Sequence, residues 1–507
     1  MDNRQYVAAV DLGTTKVVIA VAAKAEKNKV EIVALKELAS RGVIKGDLRN
    51  VEQAAITLRD VKNRIEEQTG LTLHEVFIGI SGQHIKCSRT SGYVFVHNSD
   101  ATVSEVTAQD VDRLKDEMHN SSVPLGQTII TVLPQTYTLD DEVDITEPVG
   151  MEGKRLEAKF NIITGEDATI ERIRRCFLRV GLEVEGVILQ PLASSEAVLS
   201  EDEKELGVAV VDIGGGTTDL CIYQDKVIRH IAVLPIGGNV INDDIKSYGI
   251  LERHVEKLKT TFGEAIAEKA ADQKFINIPS VSGQAPKEIA VRALAGIIEA
   301  RMYDIIDFVA EQIEKCGYKG KLGAGIVLTG GGATLKNLDL LFKNQMAMEV
   351  RVATPSLHLT PESAEIVSNP KYSTITGILV DAVRRGRFSE VSEREKPVAP
   401  VVAPAPTPAP TPTPAPAATT SGSYQDNGHS QRAKQDPVEP KQADQTFDQA
   451  QQEQQPAPEP VDGDQFAAEE DQYEEGFTMD DRRRKPGLFS KLKGMFGGMF
   501  EEVDDEF

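Results

Sequence analysis

No tryptophan occurs anywhere in this 507-residue chain, and its four cysteines, Cys87, Cys176, Cys221 and Cys316, lie far apart without a CxxC pair. That scarcity excludes a disulfide framework and a cysteine-ligated zinc site, and leaves the cysteines as small hydrophobes expected to be buried. Missing as well is any apolar run near the ~18 residues that span a bilayer. The start, MDNRQYVAAVDLG, has no basic segment followed by an apolar one, so no export signal is expected and the body is read as cytosolic. Positive charge is also short: 56 Lys and Arg stand against 79 Asp and Glu, a formal net charge of −23. Without a general cationic field to neutralise phosphates, nucleic acid is excluded as the main ligand.

Proline is scarce only in part of the chain. Residues 1–390 hold 10 of the 25 prolines, whereas residues 391–507 hold 15, with 11 basic and 23 acidic residues. The break separates a globular body from a tail. Pro397–Pro416 alternates Pro with Ala, Thr and Val, which favours extended polyproline II. Residues 421–481 are rich in Gln, Asp and Glu and almost free of aliphatic residues, the composition of a disordered spacer.

What is present in the body is a repeated pattern. The β-branched runs Tyr6–Val10 and Lys16–Ala22 flank Asp11-Leu12-Gly13-Thr14-Thr15, which predicts a hairpin. Val208–Val211 and Asp219–Tyr223 flank Asp212-Ile213-Gly214-Gly215-Gly216-Thr217-Thr218 in the same way. Glycine lets successive backbone N–H groups point into one concavity where oxyanions bind, and threonine hydroxyls add donors. An Asp at the turn mouth can hold Mg²⁺ through retained water. Either turn alone could be only a tight hairpin; two copies imply a duplicated domain with facing phosphate loops. A third loop, Gly330-Gly331-Gly332, follows the strand Gly325–Leu328 and is expected to enter a helix, Leu335–Gln345, and to pack against a nucleoside. A Rossmann site is excluded because Thr15 and Thr218 lead back into strands, and no GxxxxGK[ST] occurs.

Apolar spacing predicts helices at Val51–Gln68, Asp167–Val180, Val240–Tyr248, Leu251–Thr261, Ile289–Lys315 and Thr374–Arg385. Residues 85–164 read as short strands, Gly92–His97 and Gln127–Thr138, with one polar helix, Ala108–His119, and exposed charge at Asp140, Asp141, Glu142 and Asp144.

With these residues in place, the sequence resembles the actin, hexokinase and heat-shock ATPase superfamily. AVDLGTTK (9–16) and VVDIGGGTTDL (210–220) look like its phosphate loops, and IVLTGGGATLKNL (326–338) like its adenosine motif. GVILQPLASSEAVL (186–199) and YSTITGILV (372–380) look like its two connecting helices. SGQHI (81–85), the insertion after it and the C-terminal segment resemble the FtsA family of bacterial cell-division proteins.

The resemblance implies an α/β, actin-like, duplicated two-lobe ATPase fold with an inserted small α/β subdomain, a disordered C-terminal linker and a terminal amphipathic helix. It divides the chain into a first lobe (1–84 and 165–206), an insert of the SHS2 kind (85–164), a second lobe (207–240 and 321–390) with a helical subdomain (241–320), a linker (391–481) and a basic, amphipathic end (482–507). It also assigns roles. Asp11 and Asp212 organise Mg²⁺ through water. Gly13, Thr14, Thr15, Gly214, Gly215, Gly216, Thr217 and Thr218 cradle the phosphates of ATP, with Lys16 as a point charge. Gly330, Gly331 and Gly332 border the adenosine. Lys259 contacts the base, or is simply a solvated lysine. Gln190 orients an attacking water, or is a strand-end residue capping the next helix. Turnover is at most slow, because the body offers no obvious general base.

The C-terminal segment PGLFSKLKGMFGGMF (486–500) carries a separate signal. Leu488, Phe489, Leu492, Met495, Phe496, Met499 and Phe500 fill an arc of about 140° on a helix. Lys491, Lys493 and Arg482–Lys485 add basic charge, the pattern of an interfacial helix on anionic lipid, with a partner-docking helix as the alternative. The family resemblance adds FtsZ, later division proteins and further copies of the chain as partners, at the cytoplasmic face of the membrane at the septum. A sugar kinase would need a substrate carboxylate in the cleft that no motif nominates, and a chaperone would need a peptide-binding domain where the proline tract stands. A pilus-assembly relative would share the body without the amphipathic end.

Overall fold

The computed structural model describes residues 4–96, 104–279 and 286–393. Apolar runs without polar alternation make strands covered on both faces, and every residue of Val17–Ala22 is fully buried. In the first sheet, Glu183–Leu189, Glu75–Ile80, Tyr6–Leu12, Lys16–Lys24 and Val30–Ala39 lie side by side in that order. Tyr6–Leu12 is antiparallel to Lys16–Lys24 and parallel to Glu75–Ile80. In the second sheet the order is Val350–Val352, Ile326–Thr329, Val208–Ile213, Thr218–Gln224 and Val227–Leu234. Val208–Ile213 is antiparallel to Thr218–Gln224 and parallel to Ile326–Thr329. Both five-stranded sheets therefore follow one plan, two parallel strands and then a three-stranded meander.

Two helices run between the sheets. Gln190–Val198 leaves the last strand of the first sheet, and Ser373–Arg384 returns to pack its buried side, Ile375, Ile378 and Leu379, on the face that carries Val7 and Val18. They pass so closely that a Cβ on Gly377 would overlap the Ala193 carbonyl. Val51–Thr69 covers the other face with Ala54, Leu58, Val61 and Ile65. Its start is set by Asn50, whose side chain accepts the Gln53 N–H, and its end by Gly70 at φ 71°. The second sheet is covered by Gly238–Ser247, Glu252–Phe262 and the long helix Val291–Lys315.

The insert is a four-stranded antiparallel sheet ordered Glu142–Ile145, Gln127–Leu139, Arg155–Glu166, Lys86–Phe95, with Ala108–His119 packed on it. Val94, Leu114, Leu156 and Phe160 give it a core of its own. It also reaches the second sheet. Gln135 Nε2 donates to Ile228 O (2.8 Å), Asn161 Nδ2 to Arg229 O (3.1 Å) and the Arg229 guanidinium to Gln135 O (2.9 Å). The edge strand Val227–Leu234 is thereby partly covered, which removes a liability of open sheets.

Several expectations are corrected. The third glycine loop enters a 3₁₀ turn, Gly331–Thr334, and the helix begins only at Leu338, because Asn337 is left-handed at φ 60°. Glu183–Leu189 is a strand, as its apolar run predicts, but Gln190-Pro191, expected as a turn, already opens the first connecting helix. Lys287–Ala290 pair with Phe275–Ile278, so the long helix starts at Val291. The insert strand expected at Gly92–His97 runs Lys86–Phe95, where exposed polar residues hide the pairing from any hydrophobic pattern. Cys176 and Cys221 are buried and Cys316 half-buried, but Cys87 is exposed because it lies on that edge strand. Val391–Glu393, read with the tail, pair with Leu71–Leu73. The rest of the expected linker, and the segment 482–507 with Leu488, Phe489, Leu492, Met495, Phe496, Met499 and Phe500, lie outside the described residues.

Candidate functional site

The two glycine hairpins meet at one cleft of about 830 Å³, ample for a mononucleotide. Asp11-Leu12-Gly13-Thr14-Thr15-Lys16 lines one side, and Gly214-Gly215-Gly216-Thr217 lines the other with Asp212 and Asp219. The loops abut. A Cβ on Gly215 would overlap Thr15 Oγ1 and one on Gly216 would overlap Thr14 Oγ1, so side chains are excluded there by contact. Gly330-Gly331-Gly332, Lys259 and Gln190 complete the wall.

Three carboxylates form the floor, all nearly out of solvent: Asp11, Asp212 and Asp219. Asp11 Oδ2 accepts from Lys16 Nζ at 3.1 Å and its Oδ1 from Gln190 Nε2 at 3.1 Å. Asp212 Oδ2 accepts from the Ser194 hydroxyl and from Thr374 Oγ1 (3.2 Å), one on each connecting helix. Asp219 Oδ1 accepts from Ser81 Oγ at 2.5 Å, a bond from the second sheet to the segment that leads into the insert. Burial pushes the Asp212 carboxyl above the usual range and neighbouring Asp11 adds to it, against the two hydroxyl bonds. Asp219 is pushed well above, again by burial first and then by Asp212. Carboxylates in this state have more charge than their surroundings balance.

Gln190 is the first residue of its helix but makes no cap; its amide turns to Asp11 and to Gly79 O (3.4 Å). Lys259 is not solvated: it is 8% exposed, with Nζ on Gly238 O (3.0 Å) and Glu256 (2.8 Å). Thr218 does not line the cleft. It is the first residue of a strand whose side chains alternate, so its hydroxyl points behind the loop and donates to Ile236 O at 2.8 Å. Asp219, next in the alternation, takes the place in the cleft. Sequence reasoning missed Ser81, Ser194 and Thr374, and no local motif marks a hydroxyl brought in by tertiary packing. It also missed Gly46, at the tip of the hairpin Val43–Leu48, whose N–H donates to Thr14 Oγ1 at 3.0 Å. Asp219 was within reach, since it directly follows the threonines.

Two sheets of one strand order closing on a glycine-lined cleft define the actin-like ATPase fold, a fold family that implies nucleotide binding. Among solved structures, the PilM-PilN type IV pilus biogenesis complex has a similar fold, with a TM-score of 0.52 at 12% identity over 74% of this chain and 98% of that chain. The family model "Cell division protein FtsA" matches residues 209–377, and "SHS2 domain inserted in FTSA" matches residues 82–164. The chain is 34% identical to the cell division protein FtsA of Pseudomonas aeruginosa over 410 residues, 79% of this chain and 97% of that protein. It is 31% identical to FtsA of Bacillus subtilis over 392 residues, 76% of this chain and 86% of that protein. The chain belongs to the FtsA family of cell division proteins. No helix among the described residues is long and apolar enough to cross a membrane.

Proposed function

We propose that this chain binds ATP with Mg²⁺ in the cleft, assembles with further copies of itself, and anchors FtsZ filaments to the cytoplasmic face of the membrane at the septum, where it recruits later division proteins. The observation that carries the nucleotide reading is the pair of abutting glycine–threonine loops above three buried carboxylates. Backbone N–H groups and the Thr14, Thr15 and Thr217 hydroxyls would hold phosphate oxygens, and Gly330-Gly331-Gly332 with Lys259 would border the nucleoside.

Asp11 and Asp212 suit a hydrated cation. No cluster of three or more His, Cys, Asp or Glu among the described residues is disposed as a metal cage, and Mg²⁺ keeps several waters beside phosphate ligands. The raised Asp212 carboxyl is a place where a divalent cation relieves electrostatic cost. Bound there, Mg²⁺ would neutralise phosphate charge. Gln190, its amide fixed by Asp11, would orient a water.

Tethering rests on family membership and on the sequence 482–500, whose aromatic stripe and flanking Arg482–Lys485 suit anionic lipid. The nucleotide reading is tested by Asp212→Ala, which is expected to abolish Mg·ATP binding in a titration of purified protein; undiminished affinity overturns the assignment. Turnover well below the ~10 s⁻¹ of metabolic enzymes and no phosphotransfer to sugars are expected alongside.

A further inference from the structure

The hairpin Val43–Leu48 turns on two residues, Lys45 and Gly46, between the pairs Ile44↔Asp47 and Val43↔Leu48. Both are left-handed, at φ 51° and 76°, as the two-residue turn with the right twist requires. Asn, Asp or Gly ordinarily take the first position, and a lysine there keeps a backbone strain that clusters at functional sites. The turn is wedged at the phosphate end of the cleft. Gly46 N–H is bonded to Thr14 of the first loop, and a Cβ on Gly46 would stand 2.7 Å from Ser81 O and 3.1 Å from Thr217 Cγ2 of the second. A Cβ on Gly216 would stand 2.9 Å from Lys45 Cα. Lys45 thus begins its side chain where the two loops meet.

Among the described residues the lysines that line the cleft are all engaged, whereas Lys45, beside the lining residue Gly46, is not. Lys16 is held by Asp11 at 3.1 Å and Lys259 by Glu256 at 2.8 Å. Lys336 is held by Glu264 at 2.9 Å and Lys371 by Glu37 at 2.6 Å. Every lysine lining the cleft is therefore already matched by a carboxylate. Lys45 is exposed, and among the described residues its ammonium has no hydrogen-bond or ion-pair partner, whereas Asp47 on the same hairpin is paired with Arg49 and Arg172. An unmatched cation at the junction of two anion-binding loops suits the outermost phosphate, the group that carries the most charge.

We propose that Lys45 binds the terminal phosphate of a nucleoside triphosphate, so that the Val43–Leu48 hairpin distinguishes triphosphate from diphosphate. The inference rests on the cleft being a nucleotide site. With the triphosphate bound, Lys45 adds one charge-assisted contact across both loops; with the diphosphate, it has nothing to hold.

Lys45→Asn is the decisive variant, because Asn suits the turn better than Lys and the fold is not weakened. Affinities of the full chain for Mg·ATP and Mg·ADP are measured by calorimetric titration, with Lys45→Arg beside it and thermal unfolding of each nucleotide-free protein. The expected result is a roughly ten- to hundredfold loss of Mg·ATP affinity in Lys45→Asn, Mg·ADP affinity within twofold of the unaltered protein, recovery in Lys45→Arg, and a melting temperature equal or higher. Equal losses for both nucleotides, or none, overturn the proposal. A failure of the unaltered protein to bind either nucleotide overturns the reading of the cleft itself, which is a different result.

Discussion

Asp219 on the second sheet accepts from Ser81, which directly follows a strand of the first; that bond favours the carboxylate, but burial outweighs it and leaves a setting that favours the protonated form. Its folded pKa is raised, by burial first and by Asp212 second, so the folded state holds that proton more tightly than the unfolded state. The stabilisation is complete below the unfolded pKa and is lost as pH rises through the folded one. At neutral pH this carboxyl therefore costs the nucleotide-free protein stability that a neutral side chain would not. Asp219→Asn keeps the size of the side chain and an oxygen for the Ser81 hydroxyl without the charge. It is expected to raise the melting temperature of the nucleotide-free protein at pH 7, by an amount that shrinks as the buffer is made more acidic. A gain that grows toward acid would reverse the sign of the argument. Places in the cleft were legible in the sequence where a glycine turn dictates them, as for Asp11, Gly13 and Gly214–Gly216. They were not legible where a side chain's direction is set by the partner strand, as for Thr218, or by a helix arriving from elsewhere, as for Ser194 and Thr374.

At the scale of elements, helices were read well where the apolar stripe and the end signals agree: Ala108–His119 is found as expected, and Val51–Thr69 differs by one residue. The reading failed where a backbone requirement overrides the pattern, as at left-handed Asn337, and where a strand gains its partner from afar, as in Lys86–Phe95. The crossing of Gln190–Val198 and Ser373–Arg384 is the element contact with least slack. Gly377 lies against the Ala193 backbone, and both helices send a hydroxyl to Asp212. Gly377→Val is expected to lower unfolding free energy by about 1–3 kcal/mol through overpacking, read from urea midpoints. It should also weaken nucleotide binding, because separating the helices moves Ser194 and Thr374 off the carboxylate. Lost stability with unchanged nucleotide affinity would confine the role of the crossing to packing.

For the whole molecule, the body and the C-terminal segment are legible separately, since one is patterned by strands and the other by an aromatic stripe after a proline-rich tract. Replacing Phe489 and Phe496 by Glu removes two large apolar groups, each worth about 1.5–3 kcal/mol when buried, and sets two negative charges against an anionic surface. The doubly substituted protein is expected to stay in the supernatant when sedimented with anionic liposomes while binding Mg·ATP normally. Pelleting of the monomeric variant with the liposomes would assign the segment to protein docking instead. The insert enters this picture through Gln135 and Asn161, which hydrogen-bond the edge strand of the opposite lobe. A subdomain rooted in one half and bonded to the other is a crossbar, and a change in the angle between the halves would strain those bonds. Whatever binds the insert and changes those bonds must be favoured or opposed by the cleft's ligand, and by linkage the cleft must feel the insert's partner by the same factor. Engagement of the insert and occupancy of the cleft would then be two readings of one equilibrium.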